Sequence, residues 1–164
     1  MSEVRYGPVI KDYHARTFRV ADAQKFHPNG AAFVYLDSNG YVTLALTATA
    51  TIFGWALVPR SLGRDDLANG YWTSKTAATT GISYVPVIVA RENPGVTYRV
   101  PNAAGLAVLA RCGELCDLIA VNDGTKQYAD LATATTDVLA IVGLQNDGDT
   151  NSILVTIEKV QGDT

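Results

Sequence analysis

Short apolar runs separated by turn residues organise this chain from about residue 30 onward. Ala32–Leu36 and Tyr41–Leu46 flank Ser38-Asn39-Gly40, and an Asn-Gly pair between two such runs predicts a β-hairpin, because tight hairpin turns need positive φ. Ile52–Val58 is a nearly continuous apolar run stopped by Pro59. Ile82–Ala90 is another, and Pro86 within it predicts a sheet edge or a bulge, since proline cannot donate to a ladder. Val96–Val100 follows Pro94-Gly95 and is expected to end at Pro101. Cys116–Val121 and Lys126–Asp130 flank Asn122-Asp123-Gly124-Thr125. Val138–Leu144 and Ser152–Val160 flank residues 145–151. In the last run Ile153, Val155 and Ile157 fall on one face, with Thr156 and Glu158 on the other and Leu154 as the exception. That period of two marks a strand with one buried face. Ala103–Leu109 is expected as one short helix.

The pattern predicts an all-β protein: a single β-barrel or sandwich of roughly eight to nine short strands. Two segments stand apart. Residues 1–28 carry isolated aromatics (Tyr6, Tyr13, Phe18, Phe26) and show neither period, which predicts an extended N-terminal arm before a 29–164 domain. Residues 60–80 are polar and form a long loop insertion, with one helical turn expected at Arg64–Ala68. Such loops often carry function. No internal sequence repeat or low-complexity tract is visible.

Composition narrows the class. At 164 residues the chain suits one domain with a substantial core. An apolar content of 48% excludes an intrinsically disordered chain. The 17 Thr favour strands, because β-branched side chains suit a pleated surface. Lys and Arg (13) are outnumbered by Asp and Glu (16), giving a net charge of −3, so no nucleic-acid partner is expected. The N-terminus lacks a secretory pattern, and no apolar run approaches the ~20 residues that span a bilayer. Solubility in a reducing cytoplasm, with no membrane partner, is the expectation.

Candidate chemistry is sparse. His14 and His27 both lie in the arm, without the partners a triad or a zinc site needs. Cys112 and Cys116 have a C-x-x-x-C spacing that matches neither a redox motif nor a full zinc site, so both are expected reduced and buried. Asp147, Asp149, Asn151 and Glu158 match part of a calcium-loop template. Ser152 stands where that template needs Gly, and Glu158 on a strand lies too far away. Asp65-Asp66 beside Arg60 and Arg64 is expected to be solvated or salt-bridged. Trp55 is expected in the core. Tyr71-Trp72, in the polar insertion, form either a platform for a partner or a sugar, or a plug at one end of the barrel. No catalytic, cofactor or metal site is expected, and no enzyme activity.

From about Val96 to Val160 the chain resembles the small β-barrel head-decoration, or cement, proteins of tailed bacteriophages. The resemblance rests on Val96-Thr97-Tyr98-Arg99-Val100, on Gly113-Glu114-Leu115-Cys116-Asp117-Leu118-Ile119, and on the Asn122-Asp123-Gly124-Thr125 turn followed by Asp130-Leu131. It continues through Val138–Leu144, Asp147-Gly148-Asp149 and Ile153–Ile157. Gly54–Pro59 and Tyr84–Ile88 are similar in style. The resemblance implies a structural virion protein on the outer surface of the head, assembled in the host cytoplasm. Its implied partner is the major capsid protein, and it implies a homo-oligomer on the shell, a trimer or a dimer. Candidate contacts are then Tyr6, Tyr13, Arg16, Phe18 and Phe26 of the arm, with Tyr71 and Trp72. The alternative is a carbohydrate-binding or fibre-type module using Tyr71 and Trp72.

Overall fold

A computed structural model describes residues 6–9, 12–27, 30–58, 72–104, 111–121, 126–132, 134–144 and 151–162. The apolar runs form strands. In chain order these are β1 (Gly7–Pro8), β2 (Ala15–Arg19), β3 (Lys25–Phe26), β4 (Phe33–Leu36), β5 (Val42–Leu44), β6 (Gly54–Ala56) and β7 (Trp72–Thr73). They continue as β8 (Tyr84–Val89), β9 (Tyr98–Ala104), β10 (Leu115–Val121), β11 (Lys126–Asp130), β12 (Leu139–Gly143) and β13 (Ser152–Ile157). One 3-10 turn, Ala90–Glu92, follows β8. The protein is all-β, as the pattern predicts.

The last five strands close on themselves as a barrel in the order β9-β11-β10-β12-β13, with β13 returning to β9. Every pair is antiparallel except β9–β11. Cys116, Leu118, Leu139, Ile141, Ile153 and Val155 face its interior and are buried. The alternation of β13 therefore does what its sequence predicts.

A second sheet runs β2-β8-β6-β4-β5. Its two ends meet at a parallel bridge between Val20 and Val42, where Ala21 N donates to Val42 O. Number the five strands of each sheet along the chain. Both sheets then follow the same circuit: first, third, second, fourth, fifth and back to the first. In both, only the first-to-third contact is parallel. Registers correspond too. Gly54 pairs with Val34 as Ala140 pairs with Leu115, and Leu36 with Val42 as Asp117 with Asp130. The chain builds one topology twice, and its sequence does not announce the repeat.

A continuous core joins the two sheets. At their junction Trp55 stacks on Tyr98 with centroids 5.2 Å apart, and Phe33 meets both rings edge-on at 4.9 and 5.7 Å. Three glutamine side chains act as main-chain partners beside this cluster. Gln127 accepts from Phe33 N (2.8 Å) and donates to Phe33 O (2.9 Å) and Ala45 O (3.0 Å). Gln161 makes the same reciprocal pair with Leu36, at 2.7 and 2.9 Å. Gln24 accepts from Leu44 N.

Several expectations change. The 1–28 segment, where described, is extended but woven into the fold. β1 pairs with β9, β2 with β8 and β3 with β7. Phe26 and Val20 are buried and Tyr6, Tyr13 and Phe18 pack half-buried against the core, too few per strand to reveal a period. Pro86 sits in a strand paired on both sides, not at an edge. The β6–β8 ladder ends at Ala56–Val87, so the absent proline donor falls just beyond it, while Pro86 O accepts from Leu57 N. β9 continues through Pro101, opposite Ser152, and Ala103-Ala104 extend that strand instead of starting a helix. The Ser38-Asn39-Gly40 hairpin forms as expected. Gly40 takes φ +78°, and Asp37 Oδ1 accepts from the N–H groups of Asn39 and Tyr41.

Gly54 marks a close approach between β6 and β8. A Cβ there would lie 2.1 Å from Ile88 O. Because that neighbour is backbone, Gly54→Ala must push β6 from β8. The expected loss is about 2–3 kcal/mol of stability in urea or thermal unfolding.

Candidate functional site

The residues singled out in the sequence divide by how the strands orient them. Phe26 is 1% exposed and Trp72 is 6% exposed. They pair across β3–β7 with ring centroids 5.5 Å apart. Both close the fold from within, so the plug, not the platform, describes Trp72. Phe18 is half-buried and meets Phe53 edge-on at 5.1 Å. Tyr6 and Tyr13 are half-buried against the core. Arg16 makes a two-point contact with Glu92, Nη2 to Oε1 at 2.8 Å and Nε to Oε2 at 3.0 Å. That pair is exposed and adds little stability, but it occupies the guanidinium. Tyr71, Asp65, Asp66, Asp147, Asp149 and the Arg64–Ala68 turn lie outside the described residues.

The two histidines lie apart in the fold. The main chain of His14 is held by Asn93, which accepts from His14 N and donates to His14 O, both at 2.7 Å. His27 lines a cleft of about 190 Å³ with Tyr6, Gly30, Pro101 and residues 126–128. Burial there, and the positive charge of Lys126, hold its pKa below the ordinary 6.5. A second cleft, about 170 Å³, includes Arg91, Asn93, Tyr98 and Thr156 in its lining. Both are smaller than the ~300 Å³ from which small-molecule pockets usually start. The Tyr98 hydroxyl is buried without a hydrogen-bond partner. Burial, with Tyr13 nearby, pushes its pKa up.

Cys116 is buried as expected, and burial with Asp117, Asp130 and Asp137 nearby pushes its thiol up to about 12. Cys112 differs from expectation, because the turn before β10 leaves it exposed. No group of His, Cys, Asp or Glu suited to a metal ion occurs among the described residues.

One electrostatic feature is structural. Asp117 on β10 is 7% exposed. Its carboxylate accepts from the N–H groups of Thr135, Thr136 and Asp137 at 2.8–3.0 Å. Asp137 takes φ +55° in the turn that supplies these donors. Burial alone would raise the pKa of Asp117, but these donors outweigh burial and hold it below the ordinary 3.8.

No protein-family model, curated protein or solved structure matches this chain.

Among the described residues, the exposed large apolar ones are Val9, Leu46, Ile82, Tyr84, Leu115, Val121 and Val142, with Tyr84 the most exposed at 57%. Sequence reasoning missed these positions. Each sits in or beside a strand whose other face is core, and the strand's pattern alone does not say which apolar residue faces out.

The Asp117 cradle has a testable sign. Its folded pKa is depressed, so its contribution is complete above the ordinary aspartate value and is lost as pH falls through the folded one. At pH 7 Asp117→Asn is expected to cost about 2–3 kcal/mol, the scale of hydrogen bonds to a charged group. The gap from wild type should narrow as pH falls below the ordinary aspartate value and through the lower folded one, below which both side chains are neutral. Urea unfolding at a series of pH values measures it.

Proposed function

We propose that this protein is a capsid decoration, or cement, protein of a tailed bacteriophage. It binds the outer surface of the head and stabilises contacts between major capsid protein subunits, with homo-oligomeric contacts on the shell. One observation carries the reading. The stretch whose strand and turn order resembles decoration proteins, about Val96 to Val160, is also the stretch that closes into the barrel β9–β13.

The physical chemistry suits such a role. A closed barrel exposes few strand edges, so many copies can crowd on a shell without pairing edge to edge. The described surface offers isolated apolar residues and small clefts, which suit docking across faces. Docking by a free 1–25 arm no longer follows, because β2 supplies a strand of the second sheet. Deleting residues 1–25 would dismantle that sheet instead of isolating an adhesive segment. The carbohydrate-binding alternative, built on Tyr71 and Trp72, loses Trp72 to burial.

Quantitative mass spectrometry of purified particles, from the phage whose genome carries this sequence, tests the reading. The expected copy number is comparable to that of the major capsid protein. A few tens of copies would indicate a vertex or fibre component, and absence from particles would overturn the virion assignment.

A further inference from the structure

We propose that the outer face around Arg19 and Tyr84 is a docking surface for a protein that presents a carboxylate. The inference deepens the decoration reading and rests on it, so the partner is the shell-forming capsid subunit.

The β2–β8 register sets Arg19 opposite Tyr84. Directly opposed residues share a face, and Phe18 with Val85, one position along, packs inward. Tyr84 is 57% exposed, and Ile82, two residues before it, is 42% exposed. The Arg19 guanidinium carbon lies 4.1 Å from the Tyr41 ring centroid. Its Nε is buried and has no hydrogen-bond partner. Among the described residues no carboxylate pairs with it. Nearby acids along the chain are engaged with main chain: Asp22 accepts from Ala77 N, and Asp37 from Asn39 N and Tyr41 N.

An arginine stacked on a tyrosine is already ordered, so closing onto a ligand costs less side-chain entropy. Its planar fork matches the two oxygens of a carboxylate. Tyrosine and arginine are also the residue types that most often dominate protein interfaces. Arg16, three residues away, offers no such fork because Glu92 already fills it. A lone unpaired cation on this described face, in a chain of net charge −3, suits a single acidic side chain within an otherwise apolar contact. A nucleic-acid backbone would call for a run of cations instead.

Co-sedimentation with heads lacking this protein tests the proposal. Wild type, Arg19→Glu, Tyr84→Ala and the control Arg91→Glu would be compared, with folding checked by circular dichroism. Arg19→Glu and Tyr84→Ala should each weaken retention at least about tenfold, while Arg91→Glu, on an exposed turn elsewhere, binds as wild type does. If Arg19→Glu fails to fold, Tyr84→Ala decides, since that ring is mostly outside the core. Folded variants retained like wild type would overturn the docking surface and leave the decoration reading standing. An equal loss in Arg91→Glu would also overturn it, by reducing the effect to overall charge. Failure of wild type to bind heads would overturn both.

Discussion

The buried amide of Gln127 is the contact on which the arrangement of the two sheets depends. It is 1% exposed and lies on β11 of the C-terminal barrel, yet all three of its hydrogen bonds reach the N-terminal sheet. To the main chain of Phe33 it presents one acceptor and one donor, as a neighbouring strand would. Gln161, beyond β13, does the same for Leu36 at the other end of β4. β4 is thus held at both ends by residues of the other half of the chain. The orientation of Phe33 follows, and with it the ring cluster of Phe33, Trp55 and Tyr98 that fills the junction. A buried amide whose partners are removed costs about 1–3 kcal/mol for each group left unpaired, so this junction tolerates little displacement.

The same constraint shapes what the protein offers to others. With the sheet ends joined and the junction filled, the described surface consists mainly of strand faces, short turns and shallow clefts. Side chains that looked adhesive in sequence, Phe26 and Trp72 above all, are buried. Those left outside, such as Tyr84 and Val142, project from strands whose opposite faces are core. In the decoration role we propose, outward-facing anchors on a double sheet would hold neighbouring subunits in register. The repeated circuit of strands gives each chain two related scaffolds on which to place such anchors.

The hairpins were the most legible part of the fold. Asn39-Gly40 and the alternation of Ile153, Val155 and Ile157 each specify local geometry that the structure contains. Long-range partners were not legible. Nothing local in Gln127 or Gln161 distinguishes a buried strand mimic from a surface glutamine, and both kinds occur on strands. β1, β3 and β7 have two residues each, too short for any period to register, so the 1–28 segment looked like an arm. The duplicated topology left almost no trace. Thr47-Ala48-Thr49 recurs as Thr133-Ala134-Thr135 before the fourth strand of each sheet, while the strands themselves share pattern and not identity. Of the candidate site, residue types were readable but facing was not. Arg16 and Arg19 look equivalent in sequence; the β2–β8 register and the position of Glu92 separate them.

The coupling of the two sheets through Gln127 is tested most directly by native-state hydrogen exchange on Gln127→Leu. The account predicts amides of β4 and β5 exchanging at least about tenfold faster than in wild type, while β10, β12 and β13 keep their protection. Unchanged protection in β4 and β5, or a uniform loss across both sheets, would contradict it.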